Sequence, residues 1–284
     1  MQMLQVFFLA IVLTAVTSCS GASLPPITAS PTGAYRAGEV VWRELVTPNP
    51  KQAAAFYSAL FGWQITPVET KSTEYWLIRH NGVPIGGMVA MPATTRNASG
   101  EWICSLSVTD VDATTRKAME NGAVSLLKPT DFAGRGRTAL LRDPQGAPVA
   151  LIHAQGGDPA KQAAADNDWL WTELWSQNMA GSIQFYTATF NAETERKQDG
   201  SREYVLLKNG TREVAGVVAS PVENVRSHWV SYVRVADPAA TIRKARELGA
   251  KILLEPRPDV RNGSLGVFLD PTGAPVAVQR YPVK

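Results

Sequence analysis

Short apolar runs rich in Val, Ile, Tyr and Trp recur along the chain, as in Tyr75–Ile78, Trp102–Val108 and Trp229–Val235, and predict strands. Between them lie segments that carry their own start and stop signals. Asn49 stands before Pro50, and Gly62 follows a helical stretch: an N-cap, a proline suited to the first turn, and a left-handed stop. Asn178 and Asn191 bracket a second such helix. Asp110 to Gly122 and Asp237 to Gly249 predict two more, the latter with Pro238 in its first turn. Asp143-Pro144-x-Gly146 and Asp270-Pro271-x-Gly273 read as tight turns, because Pro fixes one backbone angle and Gly accepts a positive one.

These features repeat. Trp42-Arg43-Glu44-Leu45 recurs as Trp171-Thr172-Glu173-Leu174, at an offset of 129. Phe56-Tyr57 matches Phe185-Tyr186, and Glu74-Tyr75 matches Glu203-Tyr204, at the same offset. Further on the offset is 127: Asp110 matches Asp237, Gly122-Ala123 matches Gly249-Ala250, and the two Asp-Pro-x-Gly turns match each other. Two homologous domains are therefore expected, residues 39–155 and 166–284, joined by a linker at 156–165. Each reads as strand, helix and three strands, twice over.

The amino terminus has a different pattern. Leu4 to Val16 is almost wholly apolar, and no charged residue occurs before Arg36. Thirteen helical residues rise about 20 Å, short of a bilayer's hydrocarbon thickness of about 30 Å. The segment fits a secretory signal better than a membrane span. Val16-Thr17-Ser18-Cys19 resembles the lipobox of bacterial lipoproteins. That resemblance implies a signal peptide at 1–18, cleavage before Cys19 and acylation of that cysteine. Met1-Gln2-Met3 departs from the usual pattern in lacking Lys or Arg. Ser20 in place of Asp after the cysteine implies outer-membrane sorting, facing the periplasm, in a cell with two membranes. Residues 19–38, rich in Ser, Pro and Gly, read as a tether.

Composition narrows the function. Of 284 residues, 28 are basic and 25 acidic, giving a net charge of +3 without a dense basic block, so no nucleic-acid partner is expected. The expected membrane contact is the N-terminal lipid alone. With Cys19 modified, Cys104 is left within an apolar strand pattern, and a buried, inert thiol is expected. No glycine-rich phosphate loop, dinucleotide fingerprint or Gly-x-Ser-x-Gly elbow is present. Gly134-Arg135-Gly136-Arg137 reads as a mobile loop.

The element order resembles the vicinal oxygen chelate superfamily, which includes glyoxalase I, bleomycin-resistance proteins and extradiol dioxygenases. The resemblance rests on Leu45 and Asn49, Ala55-Phe56-Tyr57, Phe61-Gly62-Trp63, Val108-x-Asp110, Asn121-Gly122-Ala123 and Asp143-Pro144-x-Gly146. It implies an α+β fold: two tandem glyoxalase-like domains, each of two βαβββ units curled into a cup-shaped mixed sheet.

In the family each cup holds a divalent metal through His and Glu. The ligand position three residues before the leading-strand leucine is here Trp42 or Trp171. The position seven before the helix-capping aspartate is Ile103 or Val230, and the last, seven beyond the turn aspartate, is Ala150 or Ala277. None can coordinate. Val83 to Met91 has no Asp, Glu or His, and Glu213 stands too early in the matching strand. His80 adjoins an Asn81-Gly82 turn and is expected in solvent; His153 falls on the face opposite the ligand position. His228 shares the face of Val230 and is the one histidine retained as a candidate. No metal and no other cofactor is predicted.

Strand alternation instead fills the cups with other groups. Trp42, Glu44, Ser105, Ser107 and Ile152 should face the first; Trp171, Glu173, Trp175, Tyr232, Arg234 and Gln279 the second. Aromatic walls with a few polar groups suit a small, partly aromatic ligand. Glu173 should meet Tyr232 or Arg234, or keep contact with water, whereas Glu44 has no evident basic partner, which predicts a raised carboxyl pKa. Both glutamates are weak candidates for catalysis. Three functions are set side by side: extracytoplasmic binding or sequestration of a small molecule; a glyoxalase-type lyase, isomerase or dioxygenase with an atypical or metal-free site; and an anchored scaffold. A core in which the tryptophans merely fill space is the plain alternative.

Overall fold

The computed structural model describes residues 23–70, 74–91, 98–199, 202–222 and 225–282. The apolar leader and Cys19 lie outside these residues. Among the described residues no helix is long and apolar enough to cross a membrane.

The first domain runs β1 (Val40–Thr47), α1 (Pro50–Phe61), β2 (Gln64–Val68), β3 (Tyr75–His80), β4 (Val83–Ala90), β5 (Glu101–Ser107), α2 (Val111–Glu120), β6 (Val124–Phe132), β7 (Gly136–Arg142) and β8 (Pro148–Ala154). The second repeats it: β9 (Trp169–Ser176), α3 (Met179–Phe190), β10 (Glu193–Asp199), β11 (Arg202–Asn209), β12 (Arg212–Ala219), β13 (His228–Arg234), α4 (Pro238–Glu247), β14 (Lys251–Leu254), β15 (Leu265–Leu269) and β16 (Pro275–Gln279). Each domain is one eight-stranded mixed sheet, in the orders β2-β3-β4-β1-β5-β8-β7-β6 and β10-β11-β12-β9-β13-β16-β15-β14. The expected α+β fold with two βαβββ units per domain is what forms.

The local signals act as read. Asn49 accepts from the Gln52 amide, Asn178 from Gly181, Asp110 from Ala113 and Asp237 from Ala240, each satisfying an amide that the first helical turn leaves unpaired. Gly62 ends α1 at φ 73° and Asn191 ends α3 at φ 53°.

Two cores join the domains. One packs Leu106, Val108 and Leu151 against Phe185, Tyr186, Leu207 and Trp229. The other packs Leu45, Phe56, Tyr57 and Trp102 against Val233, Ile242, Phe268 and Val276. Helix α1 meets α4, and α2 meets α3. By alternation the strand residues among them lie on the faces opposite Trp42, Glu44, Tyr232 and Glu173, so the two sheets meet through the faces that the cups do not use.

Two matching polar locks cross this interface. Trp102 donates to the Tyr57 hydroxyl (2.9 Å), and Tyr57 donates to Asp270 (2.7 Å) in the other domain. Trp229 donates to Tyr186 (3.1 Å), which donates to Asp143 (3.0 Å). The aspartates are those of the Asp-Pro-x-Gly turns, and the motifs that announce the repeat thus also bind its two copies together. Between the sheets Arg43 lies buried, stacked on Trp169 and donating to Ser231 and Thr172. Burial pulls its pKa down to about 10. Nothing in the repeat pointed to it, because Thr172 is its counterpart. Cys104 is buried nearby, and burial pushes its thiol pKa up, as suits an inert side chain.

Three readings are revised. His80 is buried, not solvated: its Nδ1 meets Asp168 of the second domain at 2.5 Å. Residues 133–136 form a tight connection between β6 and β7, and Arg135 points inward, only 2% exposed. Residues 23–28, expected as part of a tether, lie against the first domain, with Ile27 1% exposed, and the exposed stretch that follows is tied to Gly156 and Asp158 through Thr32 and Gly33. The composition of a linker and of a proline-containing docked segment is the same.

Candidate functional site

The strand register brings the expected cup residues side by side. Trp42 pairs across to Ser105, and Ser105 to Ala150; Glu44 pairs to Ile103. In the second domain Trp171 pairs to Tyr232, Tyr232 to Ala277, and Glu173 to Val230. Each cup is thus floored by the rows to which the resemblance assigns metal ligands, and these are built here of indole, methyl and hydroxyl groups.

In both cups the glutamate is bound by a tyrosine and an arginine. In the first, Glu44 Oε1 accepts from Tyr75 (2.8 Å), from Arg135 (2.9 Å) and, more weakly, from Trp42 (3.4 Å). Arg135 also donates to the Tyr75 hydroxyl (2.7 Å) and lies between the Trp42 and Tyr75 rings, 5.0 and 5.7 Å from their centroids. The absence of a basic partner inferred for Glu44 is corrected: Arg135 comes from a loop, which strand parity does not see.

In the second cup Glu173, 1% exposed, accepts from Tyr232 through one oxygen and from Arg261 (2.8 Å) through the other. Arg261 also donates to Gln279 (3.2 Å) and stands 5.6 Å from the centroids of both Tyr204 and Tyr232. Trp171 donates to the Tyr204 hydroxyl (2.8 Å). Burial first, then the Glu173 charge, raises the pKa of Tyr204 and Tyr232, so both phenols keep their protons and serve as donors.

Arg234 does not reach Glu173. It turns to the linker, donating to the Ala164 carbonyl and pairing with Asp166 (3.1 Å). The arginine that takes its place, Arg261, sits in a turn between β14 and β15 with φ 45°, a rare conformation for a residue with a Cβ. Its counterpart Arg135 lies 126 residues earlier, one short of the repeat offset. That near-coincidence was the sequence signal available.

Glycines make the close approach possible. A Cβ on Gly87 would collide with the Tyr75 hydroxyl, and one on Gly216 with that of Tyr204. These residues pair with Glu44 and Glu173 in the sheets, which lets each phenol drop onto its carboxylate.

The two cups differ in access. Trp42 is 1% exposed, under Leu24 and Ile27, whereas Trp171 is half-buried. Trp175, Tyr232, Val230 and Leu265 line the second cup, with Val260 and Trp171 beside them. His228 faces Trp175 across the strands at 5.7 Å between ring centroids, and burial lowers its pKa. His153 points outward, stacked on Tyr35, and Glu213 pairs with Lys197 at the surface.

A divalent metal of the family type does not fit these residues. The ligand rows hold Trp, Ile, Val and Ala, and both cup carboxylates are already engaged by guanidinium groups. Among the described residues no three His, Cys, Asp or Glu side chains gather as a metal cluster.

Comparison with known proteins agrees with this architecture. The Glyoxalase/Bleomycin resistance protein/Dioxygenase superfamily matches residues 170–278, and a glyoxalase-like domain matches 40–152. A protein of Mycobacterium tuberculosis named putative glyoxylase CFP32 is 30% identical over 84% of this chain and 94% of its own length. The anthracycline biosynthesis protein DnrV of Streptomyces peucetius is 28% identical, over 86% and 94%. Among solved structures, the Mn(II)-bound glyoxalase from Novosphingobium aromaticivorans superposes with a TM-score of 0.60 at 14% identity, covering 88% of this chain and 84% of that one. A trihydroxybiphenyl dioxygenase from Sphingomonas wittichii gives 0.58 at 11% identity, over 86% and 91%.

Proposed function

We propose, from the premise that this chain belongs to the glyoxalase/bleomycin resistance protein/dioxygenase superfamily, that its second cup binds a small, partly aromatic molecule without a metal. The carrying observation is the asymmetry of two otherwise matching sites: Trp171 remains half-buried where Trp42 is covered. Trp171 and Tyr204, both half-buried, supply ring faces, with Trp175 and Tyr232 buried behind them. Arg261, held over two of those rings beside Gln279, supplies charge for an acceptor oxygen on the ligand. Its left-handed backbone is strain of the kind that accompanies binding sites. The Streptomyces relatives named for anthracycline biosynthesis support the same ligand class.

The test is fluorescence titration of the soluble chain with 1,4-naphthoquinone and 4-hydroxybenzoate as probes. The response should persist in EDTA, survive Trp42→Phe and fall at least several-fold in Trp171→Phe. A response abolished by EDTA and restored by Mn²⁺ would reverse the reading in favour of a metal-dependent enzyme.

Export and lipid anchoring through Cys19 belong to the same proposal, resting on the lipobox-like Val16-Thr17-Ser18-Cys19. Ser23, four residues on, is bridged to Ala133. Four residues reach at most about 14 Å. A lipid at Cys19 would therefore hold the first cup close to the bilayer and turn the second away from it. Mass spectrometry of the protein extracted from its native membrane should find a diacylglyceryl-cysteine at residue 19, lost in Cys19→Ser; an unmodified full-length chain would remove the anchor from the proposal.

A further inference from the structure

The first cup has the same constellation as the second but is filled by the chain itself. Ser23 bridges to Ala133, and the Leu24 amide donates to the Ala133 carbonyl (3.0 Å). The Pro25 carbonyl accepts from Arg135 Nε (2.8 Å), so the guanidinium that binds Glu44 also grips the segment's backbone. Ile27 packs with Trp42, Tyr75 and Ile152, and Leu24 packs beside them. Beyond, the amides of Thr32 and Gly33 donate to the Gly156 carbonyl, both at 2.9 Å. Thr32 Oγ1 donates to the Asp158 carbonyl (2.6 Å).

The receiving surface is shaped to this segment. A Cβ on Gly134 would lie 2.7 Å from the Leu24 carbonyl oxygen, and one on Gly157 2.6 Å from Thr32 Oγ1. Both glycines hold positive φ, 84° and 96°, and the docked segment occupies the space beside each. The side chains that enter the cup are Leu24 and Ile27, while Pro25 is half-buried and Pro26 exposed. The two prolines stiffen the segment, so that it loses little freedom on docking, and a guanidinium aimed at a backbone carbonyl completes an extended-peptide site.

The fit also leaves something unused. Ser107, fully buried and on the concave face by alternation, has an Oγ with no partner while the segment is in place. An occupant that reached this hydroxyl would gain a hydrogen bond that Ser23–Ala34 forgoes.

We propose that the first cup is a binding site for extended apolar peptides of the Leu-Pro-Pro-Ile type, kept shut by the chain's own residues Ser23–Ala34. Being covalently attached, the segment acts at a high effective concentration, and a separate peptide competes poorly until the segment is weakened. The proposal does not depend on what the second cup binds.

Two measurements on the full chain test it. Amide exchange of the unaltered protein should show Leu24, Thr32 and Gly33 protected; exchange at the rate of a free peptide would overturn the proposal. The chain carrying Leu24→Asp and Ile27→Asp should bind a synthetic peptide of residues 22–35 with one-to-one stoichiometry, at least tenfold tighter than the unaltered chain does. The same peptide with both aspartates should not bind. A folded double variant, with unchanged circular dichroism, that ignored the peptide would equally overturn the proposal.

Discussion

Asp270→Ala should cost the fold about 3–5 kcal/mol, read as a lower urea midpoint, because several buried donors lose their acceptor at once. Asp270 is 3% exposed. One carboxylate oxygen accepts from the amides of Thr272 and Ala274 and from the Thr272 hydroxyl; the other accepts from Tyr57 across the domain interface. Tyr57→Phe removes the crossing bond and the acceptor of the buried Trp102 indole but leaves the turn intact, and should cost about 1–3 kcal/mol. Asp143→Ala should resemble Asp270→Ala, since Asp143 holds its own turn and Tyr186 in the same way. The two locks share no partner, so their losses should add. A cost near zero for Asp270→Ala would mean that the interface is held by its apolar cores alone.

The same aspartates give a pH signature of unusual sign. Burial, outweighing the hydrogen bonds they accept, raises both carboxyl pKa values above the ordinary carboxylate range. A carboxyl that takes up its proton at higher pH in the folded than in the unfolded chain favours folding as pH falls between those two values. Asp112 acts in the opposite direction: its hydrogen bonds to Arg137 lower its pKa, and the stability it contributes is lost as pH falls through that lowered value. Asp143→Asn with Asp270→Asn should therefore remove a component of stability that grows on mild acidification.

What the sequence disclosed, and what it concealed, follows from the range of the physics involved. Caps and turns are local: Asn49, Asp110 and Asp237 satisfy amides three residues away, so their roles could be read in place. Strand parity is nearly as local, and it set Trp42, Glu44, Trp171 and Glu173 facing the cups. Arg135 and Arg261 escaped because a loop has no period, and the direction of its side chains depends on backbone angles such as the φ of 45° at Arg261. Tyr57 and Tyr186 were visible as repeated residues, but their bonds to Asp270 and Asp143 run between domains, and a repeat does not say which faces of its copies meet. Residues 23–34 were hidden by their composition. Pro, Ser and Thr make a flexible linker or a docked strap alike, and the cup beneath decides which.

Arg261→Met should empty the second cup of its binding function and destabilise the protein as well, and a second substitution separates the two effects. Glu173 has a side chain only 2% exposed, and Arg261 is its cationic partner. Truncating one member of a buried pair leaves the other desolvated and uncompensated, a cost of about 3–5 kcal/mol. Glu173→Leu in the Arg261→Met background should return most of that stability, because an apolar pair of similar volume avoids the desolvation of both charges. It should not return binding, since the donor for the ligand's acceptor oxygen and the clamp on Tyr204 and Tyr232 are both gone. Denaturant midpoints and probe titrations on the single and double variants make the comparison. If the double variant regained both stability and binding, the polar cluster would be a structural device, and recognition in this cup would rest on ring stacking from Trp171 and Trp175 alone.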